Sequence, residues 1–407
     1  MKKTIIYTIL SAGLAIAACS CTRDEITYAP FDDETLFTPI STKVDDLDEE
    51  IPYFPVLGED EDTKATGTNL TGIIKGMFGA ATGKKIHSIA GTYWSTDQNG
   101  DKVRLSGKVF LPAKGDVKGI ILVSHFTICA DYECPSRAFQ LEGILALDGY
   151  AIVMPDYIGY GATADRPHPY LCSFLTAQNI VDMLDAVVPY LEKIGREPED
   201  KDLYLMGYSQ GGATTMAVQR LLETEYSTKY TIRRNFAGAG PYDIAATYDE
   251  SIAMDKTGIP CAIPMIIIGM NVGENLGLDY SVYFQKDLLK NYEEWIFSKK
   301  YTTMELKKLM GVTQLSKLMT DIAMQKRDAN TIKLYNAMLH NSILTGWVPE
   351  APVYMFHSQD DDTVPFLNSQ HMKDRFKYCN VEYNFGHYGS HQSGCVRFIE
   401  TVHELIK

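Results

Sequence analysis

Short, almost purely apolar runs recur along this chain, separated by segments of helical periodicity, and that alternation leaves little choice of fold. Gly119–Ser124 (GIILVS), Tyr150–Pro155 (YAIVMP), Asp202–Gly207 (DLYLMG), Phe236–Gly240, Pro352–His357 (PVYMFH) and Val381–Phe385 have strand length and are apolar at successive positions. Strands of that kind are buried on both faces. Between the second and third, Ile180, Met183, Leu184, Val187, Val188 and Leu191 fall at the spacing of one helix face. A helix there joins strands that run parallel as neighbours or near neighbours. Ser136–Leu147, and the chain after Ser209, repeat the strand-then-helix order. The expected architecture is α/β: a mostly parallel central sheet flanked by helices.

Charge divides the chain before the first of these strands. The formal net charge is -14, yet between Asp24 and Asp62 there are 14 acidic residues against one lysine, Lys43. In residues 63–407 the other 38 acidic residues are nearly matched by 34 basic ones. The body is thus close to neutral and has no basic cluster interleaved with aromatics, which argues against nucleic-acid binding. Residues 1–18 have the layout of an export signal: Lys2 and Lys3, an apolar stretch Ile5–Ile16, and small residues before Cys19. Ile16-Ala17-Ala18-Cys19 resembles a bacterial lipobox, which implies lipidation of Cys19, with Cys21 a rival position. That places the protein at the cell envelope of a Gram-negative-type bacterium as a lipid-anchored lipoprotein, or secreted. Residues 19–66 read as a mobile acidic stalk, because so much charge cannot bury enough surface to offset ordering entropy. Within it, Ile51–Leu57 is apolar enough to dock on the body. The folded domain is expected over residues 67–407.

The sharpest chemical signal is Gly207-Tyr208-Ser209-Gln210-Gly211-Gly212, which follows a buried strand and opens a helical pattern at Ala213–Leu222. That is the context of a nucleophile elbow, in which a serine is held on a sharp turn and glycines let the incoming helix approach the strand. An unactivated serine is a poor nucleophile and needs an imidazole to take its proton and a carboxylate to orient that imidazole.

With that motif the chain resembles an α/β-hydrolase-fold serine esterase or lipase of the secretory-lipase type, over roughly residues 85–407. The family order of serine, acid and histidine implies the remaining partners. His357-Ser358-Gln359-Asp360-Asp361-Asp362-Thr363-Val364-Pro365 is similar to the family segment H-G-x-x-D-x-x-V-P and points to Asp361, with Asp360 and Asp362 as fallbacks and Ser358 in place of the usual glycine. His387 and His391 compete for the base, and the Gly-Ser-His setting just before the terminal helix favours His391. The family oxyanion hole implies backbone N–H groups from Gln210 and from Ser124-His125-Phe126-Thr127, at Thr127 or Phe126. His125 and His357 are read as fold-supporting, Asp156 as shaping the site, and the remaining histidines, His168 among them, as structural.

About 249–348 lies an insertion rich in helix formers that is expected to fold as a helical cap over Ser209, and it holds eight of the 16 methionines. These either line an adaptable acyl pocket or pack the cap's own core. Among the cysteines, Cys129, Cys134 and Cys172 are the expected source of one disulfide, whereas Cys379 and Cys395 stand too far apart to pair. No metal and no organic cofactor is implied: the Asp360–Asp362 run lacks the alternating spacing of a calcium loop, and His387, His391 and Cys395, whose spacing would suit a zinc-binding helix, are interrupted by Gly386, Gly389 and Gly394, which argue against such a helix. The expected activity is a serine hydrolase acting on a small-molecule ester or lipid through an acyl-enzyme. A prolyl-type peptidase and a non-catalytic surface binding protein on the same fold are the alternatives.

Overall fold

A computed structural model of the protein describes residues 34–47, 77, 84–199 and 202–407. Its frame is one nine-stranded sheet of β1 (Thr38–Asp46), β2 (Lys85–Thr96), β3 (Lys102–Pro112), β4 (Ile120–Ser124), β5 (Ala151–Pro155), β6 (Asp202–Tyr208), β7 (Thr231–Gly238), β8 (Val353–Ser358) and β9 (Val381–Gly386), in the order β1-β2-β3-β5-β4-β6-β7-β8-β9. β5, β4, β6, β7, β8 and β9 run parallel, and β1, β2 and β3 complete the sheet antiparallel. The six parallel strands are those expected from the apolar runs, with ends shifted by a few residues. β4 and β5 are buried at every position.

Helices cover both faces, as a parallel sheet requires. On one side lie α1 (Ser173–Lys193) and α2 (Gln210–Glu225), whose Ile180, Met183, Leu184, Val187 and Leu191 in α1 enter one apolar layer with Met216 and Leu222 of α2. On the other lie a 3-10 segment, Leu141–Asp148, and the terminal helix His391–Ile406, which contributes Val396, Phe398, Ile399, Val402 and Ile406. The segment expected as a helix at 136–147 is therefore only this 3-10 run. It ends at Gly149, whose φ of 95° only glycine adopts easily.

Two expectations need correction. The stalk is not mobile throughout, because Thr38–Asp46 forms the edge strand β1. Phe37 anchors it. Its backbone N–H donates to Ala186 O at 3.0 Å, its ring meets Tyr190 edge-on at 5.6 Å, and it fills the space over Gly91, where a Cβ would lie 2.5 Å from its Cζ. The acidity that suggested a stalk is partly absorbed, since Asp45 is buried, accepts from the Ser88 hydroxyl and pairs with Lys43 at 3.1 Å. The signal residues, Cys19, Cys21 and the Ile51–Leu57 segment lie outside the described residues. The second correction concerns the disulfide: Cys129, Cys134 and Cys172 are buried free thiols, as are Cys261 and Cys395, and Cys379 is free and half-buried.

Between β7 and β8 the chain runs through α3 (Ile244–Met254), α4 (Ala262–Gly273), α5 (Lys286–Tyr292), α6 (Thr303–Met310), α7 (Asp321–Gln325) and α8 (Ala329–Asn341). The region has a core of its own, and Met265, Met270, Met310, Met319 and Met338 are buried in it. Its methionines mostly pack that core, as the second of the two readings has it. Cys129, Tyr170, Leu171 and Cys172 join the same cluster, so the insertion packs on the loops after β4 and β5. No helix among the described residues is long and apolar enough to cross a membrane.

Glu142 is an anomaly within the second layer. It is buried, its Oε2 has no hydrogen-bond partner, and burial raises its carboxyl from 4.5 to about 7. A raised folded-state value means that the stability this group allows is fully present below pH 4.5 and is lost as pH rises through about 7. Glu142→Leu is therefore expected to gain on the wild type by up to about 3 kcal/mol between pH 5 and pH 8. Urea unfolding at the two pH values measures this, and a stability difference that does not change with pH would contradict it.

Candidate active site

The turn after β6 is built by close backbone approach. Ser209 has φ 58° and ψ -125°, a strained conformation for a residue with a side chain, and its N–H is held by Gly238 O at 2.9 Å. The neighbouring glycines leave no room for a Cβ. At Gly207 it would lie 2.1 Å from Gly211 O, at Gly211 2.0 Å from Ser124 O, and at Gly212 2.2 Å from Gly238 O. These contacts bring the start of α2 against the ends of β4, β6 and β7. Ser209 thus sits at the carboxyl end of the central strands with the positive end of α2 behind it.

Asp361 and His391 meet beside that turn. The Asp361 side chain is 0% exposed, and its Oδ2 lies 2.6 Å from His391 Nδ1 and 3.3 Å from His357 Nε2. Its Oδ1 accepts the N–H groups of Thr363 at 2.9 Å and Val364 at 2.8 Å. Burial alone would raise this carboxyl, but His391 and then His357 hold it well below the usual carboxylate range. His357 is itself fixed, with Nδ1 2.7 Å from the Ser369 hydroxyl. The two fallback acids do other work. Asp362 Oδ1 accepts the His391 N–H at 3.2 Å, and Asp360 pairs with His387 at 2.8 Å, where the His387 side chain is 73% exposed.

His391 is the first residue of the terminal helix rather than the last of the loop, with Ser390 as its N-cap. The preceding loop is tied down by Ser358, the residue standing where the family has glycine. Its hydroxyl donates to Gly389 O at 2.7 Å and accepts from Tyr388 N at 3.1 Å. The imidazole packs against Tyr208 with ring centroids 5.0 Å apart, and the Tyr208 hydroxyl donates to His391 O at 2.8 Å. Tyr208 directly precedes Ser209, so the strand that ends at the serine also holds the backbone of the histidine.

The other two predicted positions lie on the far side of the serine. Gln210 opens α2, and its side-chain Nε2 donates to His168 Nε2 at 3.0 Å. His168 Nδ1 donates to Ile158 O at 2.7 Å, which fixes the tautomer, and burial lowers this imidazole to about 3, so it stays neutral. Thr127 is buried, with its hydroxyl 2.8 Å from that of Tyr170. His125 stacks on Tyr157 at 3.8 Å, and Asp156 is buried, accepting from Ser106 Oγ at 2.6 Å and Ser136 N at 2.7 Å.

The sequence also matches a family model described as secretory lipase over residues 136–394, well over half of the chain. The protein belongs to the secretory lipase family. It is a carboxylic-ester hydrolase. Solved structures support the fold of this secretory lipase. The rice cell wall degrading esterase LipA from Xanthomonas oryzae superposes with a TM-score of 0.68 at 20% identity, covering 92% of this chain and 95% of that one. A putative hydrolase from Legionella pneumophila gives 0.69 at 21% identity, over 85% and 94%. Candida antarctica lipase A gives 0.58 at 14%, over 88% and 78%. A search of curated proteins finds no match.

What sequence reasoning missed in this secretory lipase is the support around the named residues. Tyr208 is visible in the sequence only as part of the glycine motif, His168 only as a structural histidine, Tyr170 not at all, and Ser358 as a departure from pattern. The steric demand at Gly211 predicts that Gly211→Ala destabilises the fold by at least about 3 kcal/mol, because the contact is with backbone that cannot yield. A urea midpoint close to that of the wild type would show that α2 can back away from β4.

Proposed function

We propose that Ser209, His391 and Asp361 form a catalytic triad and that the protein hydrolyses carboxylic esters through an acyl-enzyme. The observation that carries this is the 2.6 Å contact between His391 Nδ1 and a buried carboxylate whose other oxygen is already saturated by two backbone donors. With Nδ1–H committed to Asp361, Nε2 is the nitrogen left to take the Ser209 proton. The serine oxygen attacks the ester carbonyl, and His391 then protonates the departing alcohol. Asp361 stays ionised and stabilises the imidazolium without taking its proton. Water, activated by the same imidazole, attacks the acyl-enzyme and regenerates the serine.

Negative charge that develops on the carbonyl oxygen is met by the N–H of Gln210, at the positive end of α2, and by that of Thr127 or Phe126 across from it. Such a donor is typically worth about 3 kcal/mol in the transition state. The Gln210–His168 and Thr127–Tyr170 hydrogen bonds hold the side chains of this pair, so little reorganisation is needed as the charge forms. The helical insertion acts as a cap over this site, and Cys19 serves as a lipid anchor to the cell envelope. Cys19→Ala is expected to abolish incorporation of labelled palmitate and release the protein from membranes; retention of the label would remove the anchor from this reading.

Ser209→Ala is expected to abolish both p-nitrophenyl butyrate hydrolysis and fluorophosphonate labelling with the circular dichroism spectrum unchanged. Asp361→Asn should lower kcat by about 10⁴-fold, as loss of the orienting carboxylate does in such triads. His387→Ala should remain within a few-fold of the wild type. Activity that survives in Ser209→Ala, or is lost in His387→Ala rather than in His391→Ala, would overturn the assignment.

A further inference from the structure

Beside the two oxyanion positions lies a compact cavity between the cap and the loops after β4 and β5. Its walls include Tyr160, His168, Tyr170, Met265, Phe297 and Lys299. Two of these residues connect it to the reaction centre, since His168 accepts from Gln210 and the Tyr170 hydroxyl meets that of Thr127. The walls are mostly apolar and aromatic, which makes a lysine there unusual.

Lys299 is 5% exposed. It stands in the left-handed region at φ 51°, with its carbonyl accepting from Asp131 N at 2.8 Å. Its ammonium donates to the carbonyls of Ala164, at 2.8 Å, and Arg166. Besides these two carbonyls the ammonium meets only the Tyr160 ring, 5.9 Å from its centroid, and among the described residues no carboxylate lies within ion-pair distance. The nearby Asp131 is already committed, with Oδ1 to Gly161 N at 2.7 Å and Oδ2 to Arg137 at 3.0 Å. Burial lowers this ammonium to about 8, with Asp131 and Asp165 acting against the shift, so it remains mostly charged at pH 7. A buried cation without an ion pair is costly, and a ligand carboxylate would remove that cost.

We propose that the Lys299 cavity binds one arm of the ester and selects an arm that ends in a carboxylate, so that the preferred substrates are short esters carrying an anionic group. The inference rests on the ester-hydrolase reading above and adds a substrate class to it. General electrostatics does not supply this preference, because the body of the protein is itself slightly negative. The anion is recognised locally, by the ammonium, while the apolar walls take up the carbon chain of the arm. The charged group can stand on the acyl or on the alcohol side of the ester, since the cavity adjoins the position of the carbonyl oxygen.

Hydrolysis rates in a pH-stat at pH 7 distinguish the two sides. Monomethyl succinate against methyl pentanoate tests the acyl side, and 3-acetoxypropanoate against butyl acetate tests the alcohol side. In at least one pair the charged ester is expected to show a kcat/KM about tenfold or more above its neutral partner, mainly through KM, as one charge-assisted hydrogen bond allows. Lys299→Met should erase that ratio. Should this variant not fold, Ile268→Phe, which fills the same cavity from α4, should erase it instead. Neutral esters preferred in both pairs by the wild type, or a ratio that survives either folded variant, would overturn the inference and leave ester hydrolysis standing. Failure to hydrolyse any of the four esters, or p-nitrophenyl butyrate, would instead count against the hydrolase reading itself.

Discussion

The architecture depends on how closely α2 comes to the sheet. Three backbone contacts near 2 Å from a hypothetical Cβ, at Gly207, Gly211 and Gly212, set the position of the helix against β4, β6 and β7. No side chain larger than hydrogen is compatible with them. The same approach forces the connecting residue into φ 58°, so that Ser209 is raised out of the strand and stands at the N-cap position of the helix with its side chain making no capping bond. Strain in the turn is sustained because layers on both faces of the sheet fix its two ends.

Everything on the histidine side is arranged around one buried carboxylate. Asp361 accepts from the His391 imidazole and from two backbone N–H groups, with His357 Nε2 3.3 Å away, so its charge is solvated by protein. Desolvation favours the neutral acid, and the imidazoles outweigh it. The loop that delivers His391 is then held by the Ser358 hydroxyl and the Asp362 carboxylate. Adjacent aspartates that look redundant in sequence therefore divide three tasks among them: Asp361 orients the histidine, Asp362 caps its helix, and Asp360 pairs with an exposed imidazole.

The parallel half of the sheet was legible because burial on both faces leaves few polar residues in the strands. The antiparallel half was not. β2 and β3 carry Ser88, Thr92, Ser95 and Ser106 at buried positions, and their partners are distant in sequence, such as Asp182 for Ser95 at 2.6 Å or Asp156 for Ser106 at 2.6 Å. Such partners cannot be read from local periodicity. β1 was hidden by the acidity around it, although the residues flanking it, Leu36, Phe37 and Leu47, are apolar and buried. Ser209, Gln210, Thr127, Asp361 and His391 are candidates that motif resemblance singles out, whereas the contacts of His168 and Tyr170 with Gln210 and Thr127 emerge only once the loops are brought together in space. The disulfide expectation failed for a related reason: cysteines in loops after strands are close in topology, yet Cys129, Cys134 and Cys172 stay unpaired in the interior.

The location of β1 has a mechanical consequence. β1 forms the rim of the sheet, and four strands stand between it and β6. A pull on the chain ahead of β1 would be borne first by the β1–β2 ladder and by Phe37 in its socket over Gly91. Partial peeling there would leave the serine turn undisturbed, so this geometry insulates the turn from load.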